Sequence, residues 1–125
     1  MAKVLVVEDQ ESDRLLLQTL LQDAGHQVLF AKDGEEAVRL YLRKGVQVVV
    51  TDLQMPHVDG MELITELLAL FPDAPIIAVS GKGEDQLRMA KTLGAVDAMA
   101  KPVDRDDLLA AVKRAADSPG AAPKF

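Results

Sequence analysis

The residues whose types and spacing suit joint chemistry are Glu8, Asp9, Asp52, Ser80 and Lys101. Each follows a short apolar run: 4–7 before Glu8-Asp9, 46–51 before Asp52, 74–79 before Ser80 and 95–100 before Lys101. Runs that are this rich in valine and isoleucine read as strands of a parallel sheet buried on both faces. The carboxyl ends of such strands share one edge, where open α/β sheets place their ligands. Three carboxylates gathered there repel, since two like charges ~4 Å apart cost about 4 kcal/mol at an effective dielectric near 20. Lys101 is the cation the sequence offers at that edge; beyond it, the acids ask for a hard metal. With oxygen ligands, no cysteine and no clustered histidine, the expected ion is Mg2+. An aspartate beside Mg2+ and a lysine is a nucleophile in a field suited to an incoming phosphoryl group. The Ser80 hydroxyl can donate to a phosphoryl oxygen, and Lys101 can pair with another as a point charge.

The elements that must position these side chains alternate along the chain. The run 46–51 holds four valines and is the central strand, ending in Asp52. Strands are also expected at 4–7, 28–31 (an edge), 74–79 and 95–100. Helices are expected at 12–24, 34–44, 60–70, 84–93 and 104–116. The first carries a stripe of Leu16, Leu17, Leu20 and Leu21, and the third one of Leu63, Ile64, Leu67 and Leu68. The fourth is weaker, with only Leu87, Ala90 and Leu93 in register, and Asp104 is placed to cap the fifth. Five strands joined by crossover helices imply an α/β, doubly wound five-stranded parallel sheet with helices on both faces.

Composition narrows the function. A chain of 125 residues, 49% hydrophobic and 27% charged, is expected to form one globular domain. Its net charge of −6 argues against direct contact with nucleic acid. The four apolar residues at 4–7 are too few for a signal-peptide core, so a cytoplasmic protein without a membrane segment is expected. The domain is expected to span 1–117, followed at 118–125 by a tail or linker stub rich in Pro, Gly and Ala.

Simpler roles compete for single residues. Asp52 alone could cap the third helix, and Ser80 alone could close a turn. Their shared place at strand ends, with Glu8, Asp9 and Lys101, favours the site. Asp59-Gly60 is read as a cap and a turn, His57 as an exposed loop residue, and His26 as at most a partner for a helix C-terminus.

The stretches V-L-V-V-E-D, V-V-V-T-D-L-Q-M-P-H-V-D-G, I-I-A-V-S-G and A-M-A-K-P resemble the receiver domains of two-component response regulators. The resemblance covers about residues 3–116. It implies the flavodoxin-like strand order 2-1-3-4-5, with Asp52 as the phosphoacceptor. Mg2+ would be held directly by Asp9 and Asp52, through water by Glu8, and by the carbonyl of Gln54. Ser80 would be the switch hydroxyl, Lys101 the phosphate-binding lysine, and Pro102 would follow a cis peptide. It further implies a bacterial, non-enzymatic signalling switch, monomeric or weakly dimeric. Its phosphoryl group would come from a histidine kinase or a histidine phosphotransfer protein and act on a downstream output partner. Gln54 and Lys82 stand where family members tune hydrolysis.

One position departs from the family. Receivers usually carry Tyr or Phe three residues before the strand-five lysine, and here that position is Ala98. The inward-turning aromatic readout is therefore absent, and the signal must leave the pocket otherwise. Leu15 lies opposite the expected buried stripe of helix one and is a candidate partner contact. The complete acid, serine and lysine set favours a phosphorylatable switch over a constitutive interaction module with the same fold. A Mg2+-dependent phosphatase with an aspartyl nucleophile is weaker, because its second carboxylate would fall where Gln54 stands.

Overall fold

The computed structural model describes residues 1–55 and 58–118. Five strands, β1 (Lys3–Val7), β2 (Gln27–Ala31), β3 (Val48–Asp52), β4 (Ile76–Ser80) and β5 (Asp97–Ala100), pair in parallel in the order β2-β1-β3-β4-β5. The crossovers are α1 (Glu11–Asp23), α2 (Gly34–Arg43), α3 (Gly60–Leu70) and α4 (Glu84–Leu93), and α5 (Arg105–Ala116) follows the last strand. This is the doubly wound α/β sheet expected from the pattern.

Alternation along the strands divides the core into two layers. Leu5, Val7, Val49, Ile76 and Ala78 meet Tyr41, Leu63, Ile64, Leu67 and Ala90 from α2, α3 and α4. Val4, Val6, Val48, Val50, Ile77 and Val79 meet Leu17, Leu21, Leu108 and Val112 from α1 and α5. Each fully buried Leu, Ile or Val contributes about 1.5–3 kcal/mol by leaving water, so both layers hold the sheet and fix its register. Among the described residues, no helix is long and apolar enough to cross a membrane.

Several details differ from the pattern reading. β3 starts at Val48 because the Gln47 side chain takes the Lys3 backbone N–H at 3.0 Å, before the regular ladder begins. Pro75 lacks an N–H, so it contributes only its carbonyl, to Val49 N at 2.9 Å, and β4 begins one residue later. On α1 the buried residues are Leu17 and Leu21; Leu16 is 48% exposed and Leu20 half-buried. A rotation of about 100° per residue takes Leu16 off the face that meets the sheet. In α4 only Ala90 is buried, and Leu93 is exposed. His26 is no cationic helix partner: its Nδ1 accepts the Ala2 N–H at 3.0 Å, and burial, then the N-terminal charge, lowers its pKa.

The segment after β3 holds a two-residue antiparallel pair, Gln54–Met55 with Val58–Asp59, too short to leave a periodic signal. Asp59, not Asp52, caps α3, accepting from Met61 N at 2.9 Å. Gly60 is the first residue of that helix and not a turn. A Cβ on it would lie 2.6 Å from Leu53 Cα and 2.7 Å from the Asp52 carbonyl oxygen. Only glycine lets α3 approach the end of β3 this closely. His57 lies outside the described residues, as do 119–125 of the expected tail.

Candidate functional site

Glu8 directly follows β1, Asp52 and Ser80 end β3 and β4, and Lys101 directly follows β5. Parallel pairing sets Asp52 level with Val79 and Ser80 level with Ala100, which brings four distant stretches to one edge. Backbone bonds lock the edge: Leu53 N donates to Val79 O and Lys101 N to Ser80 O, both at 2.9 Å.

The side chains converge on one ammonium group. Lys101 Nζ donates to Glu8 Oε2 at 3.2 Å, Asp52 Oδ2 at 3.0 Å and Asp13 Oδ2 at 2.9 Å. Asp52 Oδ1 accepts the Gln54 backbone N–H at 3.0 Å, and Glu8 Oε1 accepts that of Gln10 at 3.1 Å. Ser80 is fully buried, and its Oγ accepts from Lys82 N at 3.1 Å, which leaves the hydroxyl proton to donate into the site. Leu53, Gly60 and the start of α3 support Asp52 from beneath. The peptide between Lys101 and Pro102 is cis.

The electrostatics follow from burial. The side chain of Glu8 is fully buried, and its pKa is pushed up to about 7. Burial is the main cause; Asp52 adds through charge and hydrogen bonding, while the Gln10 N–H and Lys101 oppose. For Lys101, burial acts to lower the pKa, but the hydrogen bonds it donates to Asp13 and Asp52 and the charges of Asp52 and Glu8 outweigh it and hold it above the usual ammonium range.

Asp9 Oδ1 and Gln54 Nε2 are both buried without a hydrogen-bond partner. An orphaned buried carboxylate oxygen carries a desolvation cost unless a ligand satisfies it. Among the described residues, no three His, Cys, Asp or Glu side chains form a ready-made metal cage. Mg2+ keeps several waters and binds through one or two carboxylates. The unpartnered Asp9 Oδ1 and the carboxylates of Asp52 and Glu8 are oxygen donors of the kind this chemistry needs.

The structure adds two residues to the surroundings of the site. Asp13 was not singled out in the sequence, where an acid in a first helical turn reads as a helix-dipole partner; only the tertiary fold shows it reaching Lys101. Leu15 is exposed as expected, but Leu16 is the leucine that lines a cavity of about 320 Å³ beside Lys101, with Asp13, Leu17, Pro102 and Val103. Ala98 is half-buried in β5, level with Ala78, and it packs against the α2–α3 core layer.

Comparison with known proteins places this geometry in context. The family model described as response regulator receiver domain matches residues 4–113. The sporulation initiation phosphotransferase F of Bacillus subtilis is 31% identical over 113 residues, covering 90% of this chain and 91% of that protein. The chemotaxis protein CheY of Listeria monocytogenes is 32% identical over 118 residues, covering 93% and 99%. A crystal structure of a response regulator receiver domain protein from Clostridium thermocellum superposes with a TM-score of 0.84 at 31% identity, covering 92% of this chain and 94% of that one.

Proposed function

Because the chain belongs to the response regulator receiver domain family, a family of phosphorylation-dependent signalling switches, we propose that Asp52 is its phosphoacceptor and that Glu8, Asp9, Gln54, Ser80 and Lys101 serve that residue. The observation that carries this reading is Lys101 Nζ bridging buried Glu8 and Asp52 at 3.2 and 3.0 Å, at the carboxyl edge of the sheet.

The Asp52 carboxylate attacks phosphorus, and the bond from phosphorus to the donor nitrogen or oxygen breaks. An aspartate carboxylate needs no general base for this, so the pocket's work is positioning and charge compensation. The Gln54 N–H fixes one carboxylate oxygen and so orients the other. Lys101 offers its ammonium to the oxygens of the arriving group, and the buried Ser80 hydroxyl donates to another. Receiver domains are Mg2+-dependent as a family. In this chain Asp9, Asp52 and the Gln54 carbonyl would hold the ion directly and Glu8 through water, and the bound ion would offset phosphoryl charge.

The donor in this reading is a histidine kinase or a histidine phosphotransfer protein, and an output protein or domain receives the signal, in the cytoplasm of a bacterium. The bacterial relatives and the family match support it. The receiver occupies 1–117, ahead of the 118–125 tail. With Ala98 unable to act as an aromatic switch, the response stays near the pocket, centred on loops 54–59 and 80–85 and the start of α4. Pro56 and His57 in the first loop lie outside the described residues. The test is intact-mass spectrometry after incubation with acetyl phosphate and Mg2+. The wild-type chain is expected to gain one phosphoryl group that is lost in base, and Asp52→Asn to gain none. An undiminished adduct in Asp52→Asn would overturn the assignment. A wild-type chain that takes no phosphoryl group and still binds its partner would favour the constitutive module.

A further inference from the structure

A lysine ammonium has three protons to donate, and in this molecule all three are engaged: by Glu8, Asp52 and Asp13. The proton that Asp52 takes can pass to a phosphoryl oxygen once Asp52 is phosphorylated. A second bond from Lys101 to the phosphoryl group, however, requires Glu8 or Asp13 to give up its place. The three are not equal candidates. The Glu8 side chain is fully buried, so bulk water does not reach it to take the place of the ammonium. Asp52, only 3% exposed, keeps its share of the ammonium through the phosphoryl group it carries. The Asp13 side chain is 37% exposed, and water can replace the ammonium there at least cost.

We infer that Asp13 is a positioning residue that holds Lys101 in the resting state and releases it when Asp52 is phosphorylated. This rests on the phosphoacceptor reading and deepens it. Asp13 thus competes with the phosphoryl group for one ammonium and sets the occupancy of the phosphorylated form at a given donor concentration. The released carboxylate sits on the first turn of α1, at the rim of the cavity lined by Leu16, Leu17, Pro102 and Val103. The exchange therefore reports the state of Asp52 on α1, away from β5, where Ala98 has no ring to turn.

The test is titration of the wild type, Asp13→Asn and Asp13→Ala with beryllofluoride, a phosphoryl stand-in, at saturating Mg2+. Both variants are expected to reach half-saturation at about threefold lower beryllofluoride, the scale of a partly exposed ion pair. In the wild type, the side-chain carboxyl carbon resonance of Asp13 is expected to shift on saturation as its ammonium partner leaves. A purely structural Asp13 would lower the melting temperature of the variants and leave half-saturation unchanged. That result, weaker binding in the variants, or an unmoved Asp13 resonance would overturn the inference. Absence of binding in the wild type would instead overturn the phosphoacceptor reading, and the latch with it.

Discussion

The two ends of the same sheet are built on opposite rules. At the amino end, polar groups are matched locally: His26 Nδ1 takes the Ala2 N–H, Gln47 Oε1 takes the Lys3 N–H, and Lys3 Nζ reaches the Lys44 carbonyl at 2.7 Å. At the carboxyl end, three acids share one ammonium, and Asp9 Oδ1 and Gln54 Nε2 are buried without partners. Among the described residues, these amino-end groups have made their hydrogen bonds within the fold. The carboxyl end concentrates charge and buried polar atoms without partners, as the proposed phosphoacceptor site requires. Removing a polar group is therefore expected to destabilise the first end and can stabilise the second.

The largest expected effect breaks the support beneath the site. Gly60→Ala places a methyl group 2.6 Å from Leu53 Cα, backbone that cannot swing aside. A loss of about 3 kcal/mol is expected in urea unfolding, and an unchanged midpoint would show that α3 can retreat freely. The second prediction sharpens the contrast through pH. Glu8 keeps its proton to about pH 7 when folded, against an ordinary value of 4.5. Between those values the folded state binds more protons than the unfolded one, so metal-free stability falls as pH rises through that window. The fall is expected to be roughly 2–3 kcal/mol. Glu8→Gln is expected to flatten it and to be the more stable protein at pH 8, as read by denaturation in the presence of a chelator. A variant less stable than wild type at pH 8 would erase the distinction between the two ends.

Much of this contrast is legible in the sequence. The valine runs mark the strands, and because parallel strands share an edge, the acids, Ser80 and Lys101 can be placed together without coordinates. Asp104 is readable as a cap, and it accepts from Asp107 N at 3.0 Å. What stays hidden depends on tertiary packing. Asp13 looks like any acid in a first helical turn until α1 is laid beside the end of β5. Leu16 looks buried because the leucine pattern is wider than the face that meets the sheet. Gly60 reads as a turn glycine because only the distance to Leu53 shows a close approach.

At the amino end, Gln47→Ala leaves the Lys3 N–H without its acceptor and is expected to cost about 1 kcal/mol with no pH dependence between 5 and 8. A loss that tracked pH would mean this end also carries unmet charge. The smallest effect is expected at the rim. Leu15 is 48% exposed, so Leu15→Ala is expected to change stability by less than ~0.5 kcal/mol. Labelling by acetyl phosphate is expected to be unchanged, while transfer from a histidine phosphodonor protein slows. Equal rates from the protein donor would remove Leu15 as a contact.

The central claim, that the unmet charge at the carboxyl edge serves phosphorylation of one aspartate, is tested most directly by locating the phosphoryl group. The chain is treated with acetyl phosphate and Mg2+, reduced with borohydride, which converts an acyl phosphate to the corresponding alcohol, and mapped by peptide mass spectrometry. Homoserine at position 52 alone is the expected result. Reduction at Glu8, Asp9 or Asp13 instead, or none anywhere in a chain shown to have been labelled, would contradict it.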